Sequence, residues 1–349
     1  MTPDATEELI IGEGEHRYAV DHGWATLPEG RRFGYTHGIV QSPRNGRTYI
    51  ANQSADAVAV FDAEGAFLTS WGAAYAAGAH GLTLAEEEGD ERLYLANSDL
   101  GHVVKTTLDG EVLWKRGAPA GRADLYGDEA GDAGVRPGGE NSDDDSKERL
   151  YKPTETAVAP DGTVYVADGY GQHGVHRYTP AGEYRDSFGG PGAAPHHLDT
   201  PHGISIDDRA GEPVVQIADR SNVRIVNFTL DGQFIETVAG ADALRHPCTT
   251  AHAGGRMYVP DLFARVSIFG PGGDKIIDLG DYVDGQSLTS WNDFGSPAFP
   301  ELDGYPDVTP QQQRPGKFVA PHDLCVDAGG NIYVVEWHRH GRVTKLTRV

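Results

Sequence analysis

Three histidines occur in nearly the same local sequence at distant points of the chain. They are His80 in AGAHGLTLA, His202 in DTPHGISID and His322 in VAPHDLCVD. Each follows a small residue or proline, precedes Gly or Asp, and begins a stretch of alternating apolar residues. Such alternation predicts a β-strand, so each imidazole lies at the start of a strand. Three neutral imidazoles that meet would form a zinc site with one open coordination position, as catalytic zinc requires.

Six repeats indicate how histidines so far apart can meet. Each repeat has a short apolar strand that ends in a polar residue, then a turn and a second alternating strand. A glycine-containing turn follows in five of the six, which is hairpin chemistry. Three of the separations between the polar residues (45, 51 and 42 residues) match a propeller blade of about 40–50 residues, whereas two (71 and 75) are longer. We call these polar residues the marker residues: Asn52, Asn97, Asp168, Asp219, Asp261 and Glu336.

The repeats predict an all-β fold, a six-bladed β-propeller of one domain spanning residues 1–349. A further strand precedes each marker residue, as in HGIVQS and HGISID. The two long separations predict loop insertions at about residues 120–149 and 281–316. The N-terminal stretch EHRYAVDHG is predicted to add a strand to the last blade and so close the ring.

In a propeller the first strand of every blade lines the central channel, so equivalent strand starts converge. His80, His202 and His322 open blades two, four and six, about 120° apart in a six-fold ring. His37 holds the same position in blade one, while blades three and five have Thr154 and Cys248 there. A competing interpretation therefore stands: His-Gly is a repeat consensus, and the histidines only form hydrogen bonds in a polar channel mouth.

Two further residues follow the marker residues of blades three and four. They are Tyr170 and Arg220. If these turns fold over the channel, a tyrosine beside a metal and an arginine has a lowered pKa and can serve as a base. Otherwise Tyr170 packs in a loop and Arg220 pairs with a surface carboxylate.

Composition narrows the classes of partner. The net charge of −23 argues against nucleic acid as a ligand. No apolar run approaches the roughly 20 residues of a membrane span. The N-terminus is acidic and lacks the features of a signal peptide, which predicts a cytoplasmic protein unless a leader has been lost. Cys248 and Cys325 are predicted to be buried free thiols. A small-molecule substrate is the expected partner.

The motifs DGY, PHG, ADR and PHD occur in that order, and together they resemble peptidyl-α-hydroxyglycine α-amidating lyase, an NHL-repeat propeller. The likeness covers blades two to six and is strongest over residues 151–235 and 318–346. It implies a zinc-dependent lyase that cleaves the C–N bond of a carbinolamide-like substrate to an oxo compound and an amide. The implied zinc ligands are His80, His202 and His322. Tyr170 matches the general base and Arg220 an active-site arginine. The resemblance also implies a structural calcium on Asp323, the Leu82 carbonyl and a third carbonyl near residues 36–39.

The chain departs from this family at two places. Asn52 stands where a second arginine is expected, and Gly171 replaces a disulfide cysteine. Two other functions stay open for this propeller. One is a metal-dependent lactonase or carbohydrate-directed hydrolase or lyase, with channel metals on residues such as Asn52, Asn97 and Glu336. The other is a non-catalytic binding scaffold.

Overall fold

Six antiparallel sheets make up the fold, seen in a computed structural model that describes residues 8–127, 150–282 and 313–349. Blade one contains β3 (Thr36–Gln41), β4 (Thr48–Asn52), β5 (Val58–Phe61) and β6 (Phe67–Trp71). Blade two contains β7 (Ala79–Glu87), β8 (Asp90–Asn97), β9 (His102–Thr106) and β10 (Val112–Arg116). Blade three contains β11 (Glu155–Val158), β12 (Val164–Ala167), β13 (Gly174–Tyr178) and β14 (Tyr184–Gly189).

The remaining three blades follow the same order. Blade four contains β15 (Pro201–Asp207), β16 (Val214–Asp219), β17 (Arg224–Phe228) and β18 (Phe234–Ala239). Blade five contains β19 (Ala251–Ala253), β20 (Arg256–Asp261), β21 (Arg265–Phe269) and β22 (Lys275–Leu279). Blade six contains β23 (Pro321–Val326), β24 (Ile332–Glu336) and β25 (Arg342–Arg348), together with β1 (Ile10–Glu13) and β2 (His16–Asp21). The predicted six-bladed propeller is therefore confirmed.

The ring closes through the N-terminal strand, as the sequence predicts. β2 pairs antiparallel with β25, with Tyr18 opposite Arg348 and Ala19 opposite Thr347. β1 then adds a fifth strand to this sheet. Closing the ring with the two ends of the chain removes a sheet edge that would otherwise be exposed.

Helix is nearly absent from the described residues. There is one 3₁₀ turn at Ala73–Tyr75 and one short α-helix, α1, at Ala123–Tyr126. The predicted insertions fall largely outside the described residues, because 128–149 and 283–312 are not among them. No helix in the described ranges is long and apolar enough to cross a membrane.

The hydrophobic core lies between neighbouring blades. Strands β4 and β5 are buried throughout, whereas the outer strand β6 is half-buried or exposed along its length. Between blades one and two, Tyr49 and Val60 pack with Leu82 and Leu95. The hairpin turn before β6 places Gly65 at a φ of 85°, which a residue without a side chain adopts at little cost. Each blade thus buries both faces against its neighbours and holds its inner strand rigidly at the channel.

Candidate metal centre

The predicted histidines meet in the channel. The ring centroids of His80 and His202 are 4.9 Å apart, those of His80 and His322 are 4.9 Å apart, and those of His202 and His322 are 4.7 Å apart. All three side chains are buried. His37 joins the group, with its ring centroid 4.6 Å from that of His80. The channel therefore holds four neighbouring imidazoles rather than three.

Hydrogen bonds between blades orient the three predicted ligands. Nδ1 of His80 lies 2.7 Å from the Thr154 carbonyl oxygen of the next blade, and Nδ1 of His202 lies 2.8 Å from the Cys248 carbonyl oxygen. Nδ1 of His322 lies 2.8 Å from the carbonyl oxygen of His37. A carbonyl only accepts, so each Nδ1 carries the proton and each Nε2 carries a lone pair that can accept a hydrogen bond or bind a metal. Outer contacts of this kind fix the orientation of metal-binding histidines in proteins.

His37 differs from the other three histidines. Its Nδ1 lies 3.1 Å from the carbonyl oxygen of Tyr35 in its own blade, not from that of a neighbouring blade. Two overlapping groups have ligand atoms mutually within 4.8 Å: His37, His80 and His322, and His202, Cys248 and His322. His322 belongs to both groups, and the predicted trio takes members from each.

The glycines that follow His80 and His202 have a packing role. A Cβ on Gly81 would lie 2.4 Å from the Thr154 carbonyl oxygen, and one on Gly203 would lie 2.4 Å from that of Cys248. These are the same carbonyls that His80 and His202 contact. Glycine therefore lets adjacent inner strands approach closely enough for the imidazole to reach across. The His-Gly repeat consensus and the ligand geometry are two consequences of one packing arrangement.

The marker residues hold the segments that lead into the inner strands. All six are fully buried. Carboxylate oxygens of Asp219 accept the Asp199 amide at 2.6 Å, and those of Glu336 accept the Val319 amide at 2.7 Å. Each of these amides lies three residues before a predicted zinc ligand. Asn52 likewise accepts the Gly34 amide and donates to the Asp56 carbonyl. Asn52, Asp219 and Glu336 thus hold the segments that lead to His37, His202 and His322.

Tyr170 and Arg220 fold over the channel, on the same side as the imidazoles. The Tyr170 hydroxyl lies 2.9 Å from Nε2 of His202 and 3.4 Å from Nε2 of His80. The Arg220 guanidinium carbon lies 5.2 Å from the centroid of the Tyr170 ring. The buried Nε of Arg220 has no hydrogen-bond partner among the described residues. The alternatives, in which Tyr170 only packs in a loop and Arg220 pairs with a surface carboxylate, do not describe this geometry.

Burial sets the protonation of the site. It holds the pKa of His80, His202 and His322 well below the usual value, and it lowers that of His37 to about 3. All four imidazoles are thus neutral, as metal ligands must be. Tyr170 is 38 % exposed as a residue, but its hydroxyl end points into the channel, where desolvation raises its pKa more than Arg220 lowers it. Without a metal the tyrosine is therefore a neutral phenol, and the lowered pKa expected beside a bound metal stays a prediction.

Two carboxylates lie one residue further along the inner strands. Asp323 accepts the Ile39 amide at 2.8 Å, and Glu155 accepts the Thr249 hydroxyl at 2.8 Å. Burial raises the pKa of Asp323 to about 8. It also raises the pKa of Glu155, and the negative charge of Asp323 raises the pKa of Glu155 further. Neither carboxylate has an ion pair among the described residues. Both line a small cavity shared with the histidines and a cavity of about 780 Å³ that Leu82 also lines.

Two of these site residues were missed from the sequence. Glu155 occupies the repeat position of Asp323, and Cys248 occupies that of the histidines. Aligning the six inner strands residue by residue gives both positions. Both cysteines are free, with Cys248 buried and Cys325 half-buried.

The fold and channel define a six-bladed β-propeller with an imidazole cluster at one channel mouth. No family model matches the chain. Among solved structures, the chain is similar to a gluconolactonase from Xanthomonas campestris, with a TM-score of 0.61 and 12 % identity over 98 % of this chain and 95 % of that one. It is also similar to virginiamycin B lyase from Staphylococcus aureus, with a TM-score of 0.53 and 14 % identity over 95 % and 100 % of the two chains. A catalytically inactive histidine-to-alanine variant of that lyase, with quinupristin, has a TM-score of 0.52 at 13 % identity over 95 % of this chain and 100 % of that one. These likenesses establish the fold, and the neighbours are enzymes.

Proposed function

We propose that the chain is a zinc-dependent lyase that cleaves the C–N bond of a carbinolamide-like substrate, as its resemblance to the amidating lyases implies. The supporting observation is the set of three buried, neutral imidazoles whose Nδ1 atoms face carbonyls of neighbouring blades. His80, His202 and His322 would hold the metal through Nε2. The donor set fits zinc, which takes three neutral histidines and keeps a fourth position open.

A zinc ion at this position supplies a Lewis acid for the substrate hydroxyl. Tyr170 is placed to remove the hydroxyl proton, since its oxygen lies beside two of the imidazoles. Loss of that proton forms the C=O bond while the C–N bond breaks and the departing nitrogen takes up a proton. The products are an oxo compound and an amide. Because only the phenolate accepts a proton, this step is favoured by Arg220, the nearest cation that lowers the pKa of Tyr170.

Arg220 is also suited to bind the anionic part of a substrate. Its guanidinium lies at the mouth beside Tyr170, and its Nε lacks a partner among the described residues. Asn52, at the position of the second family arginine, is committed to Gly34 and Asp56. We therefore propose that a single arginine contacts the substrate, so that one guanidinium binds an anionic group for which the family has two.

The carboxylate pair suits a structural calcium. Calcium prefers oxygen ligands. A bound cation would neutralise these two buried carboxylates, which have no ion pair in the described ranges. We propose that Asp323 and the Leu82 carbonyl bind it, with Glu155 as an additional ligand. The Ile39 amide on Asp323 places blade one beside this site, as expected for the segment at residues 36–39.

A second candidate is a metal-dependent lactonase, or a carbohydrate-directed hydrolase or lyase. The specific observation in its favour is the same carboxylate pair, since a calcium there could polarise a lactone carbonyl. However, the marker residues Asn52, Asn97 and Glu336 all use their side chains in hydrogen bonds within the propeller. They are not available as the metal ligands that this alternative needs.

One experiment separates these functions. The protein is purified without chelator, its metal content is measured, and it is incubated with an N-acyl-α-hydroxyglycine and, separately, with an aldonolactone. The lyase predicts bound zinc and release of glyoxylate. Calcium alone with lactone opening would support the second candidate. Neither turnover nor a transition metal would indicate a binding scaffold.

A further inference from the structure

Cys248 lies at the metal centre, in the repeat position that histidine holds in four other blades. It is fully buried, and its carbonyl oxygen accepts the Nδ1 proton of His202. Its sulfur belongs to a group with His202 and His322 whose ligand atoms are all within 4.8 Å of one another. Cys248 therefore contributes to the centre twice, once by orienting an imidazole and once with its side chain.

A second observation points to a ligand at this place. His322 is only 4 % exposed, and its Nδ1 is committed to the His37 carbonyl. Its Nε2 makes no hydrogen bond within the described residues, so the lone pair of this neutral imidazole is available to a metal. A metal shared with the nearby sulfur would satisfy it.

We propose that Cys248 is itself a ligand of the metal that the proposed function places on His80, His202 and His322. Binding breaks the S–H bond and forms a sulfur–metal bond. The thiol proton leaves to solvent, and nothing is oxidised or reduced. The centre then has three nitrogen ligands and one sulfur ligand before substrate arrives, and the substrate hydroxyl enters either as a fifth ligand or by displacing the sulfur.

The sulfur explains how the channel distinguishes two metals. Thiolate and imidazole select zinc over calcium and magnesium, whereas carboxylate and carbonyl oxygens select the harder ions. Cys248 sits with the imidazoles, whereas Asp323 and Glu155 lie one residue further along the inner strands and also line the large cavity, which the four imidazoles do not. Soft and hard donors are therefore segregated into two adjacent layers of one channel.

Cobalt spectroscopy tests this assignment independently of turnover. The whole chain is stripped of metal, loaded with Co²⁺ and examined for a sulfur-to-cobalt charge-transfer band in the near ultraviolet. Cys248→Ser is the test variant. Cys325→Ser is the matched control, because Cys325 is the other free cysteine and lines the large cavity instead. Circular dichroism of each variant verifies folding.

We expect the band in the wild type and in Cys325→Ser and its absence in Cys248→Ser. Zinc affinity should fall at least about tenfold in Cys248→Ser, the lower range for losing even an indirect ligand contact, and should be unchanged in the control. Stoichiometric cobalt without a sulfur band in the wild type would overturn the role of Cys248 and leave the proposed metal site intact. A band that persists in Cys248→Ser would also overturn it. If no cobalt binds at all, both the proposed function and this inference fail.

Discussion

Replacing Tyr170 with phenylalanine tests the chemistry of the site with the smallest change. The substitution removes one oxygen, which lies 2.9 Å from Nε2 of His202 and 3.4 Å from Nε2 of His80. The ring and its contact with Arg220 remain. Losing one hydrogen bond costs stability only about 0.5–1.5 kcal/mol. Losing a general base lowers turnover by about 10²–10⁴, which is about 3–5 kcal/mol of transition-state stabilisation.

The assay is glyoxylate release from an N-acyl-α-hydroxyglycine, with zinc content measured on the same samples. Tyr75→Phe is a matched control, because the Tyr75 hydroxyl makes no hydrogen bond among the described residues. We expect Tyr170→Phe to keep its zinc and lose turnover, and the control to keep both. Wild-type activity should also rise with pH, because burial raises the pKa of Tyr170. Unchanged turnover in zinc-loaded Tyr170→Phe would refute the assignment of the base.

Three further predictions concern the surroundings of the site. Arg220→Lys should lower kcat/KM about 10–100-fold with zinc retained, because lysine lacks the guanidinium fork; steady-state kinetics that match the wild type would exclude Arg220 from substrate binding. Burial raises the pKa of Asp323 from 3.8 to about 8, so the metal-free folded chain holds a proton that the unfolded chain releases. The stability from this proton is fully present below about pH 4 and is lost as pH rises through about 8, at up to about 1.4 kcal/mol per pH unit. Calorimetry with EDTA should show a Tm that falls over this range, calcium should restore it at pH 8, and Asp323→Asn should weaken both responses, since Glu155 remains; a variant with the wild-type profile would contradict this. Ala19→Pro should destabilise the fold by more than about 1 kcal/mol. Its amide faces β25 because the next amide, that of Val20, bonds to Leu9 on the opposite side. Val20→Pro is the control, which should cost less in urea unfolding, and equal losses would show that closure by β2 is unimportant.

Repeat spacing was sufficient to predict the ring and the convergence of the histidines. A propeller converts equivalent repeat positions into neighbours, so His80, His202 and His322 needed no local motif. The closing strand β2 was predicted in the same way, because its residues continue the alternating pattern of the last blade, and β2 pairs with β25.

Other features could not be predicted because they depend on contacts between different residue types. Alignment of the inner strands gives the positions of Glu155 and Cys248, but Glu155 stands where blades one, two and four have glycine and Cys248 where they have histidine, so the shared pattern does not indicate what these two residues do. The position of Tyr170 depends on how its loop folds, which strand periodicity does not specify. Its raised pKa follows from desolvation of the hydroxyl in the channel, which depends on that loop conformation.

The location of bound zinc tests the central claim most directly. Crystals of protein purified without chelator would be measured above and below the zinc absorption edge, and the anomalous difference map inspected along the channel. We predict one zinc per chain, within bonding distance of Nε2 of His80, His202 and His322. An anomalous peak on Asp323 and Glu155 instead, or no peak in the channel, would contradict the account.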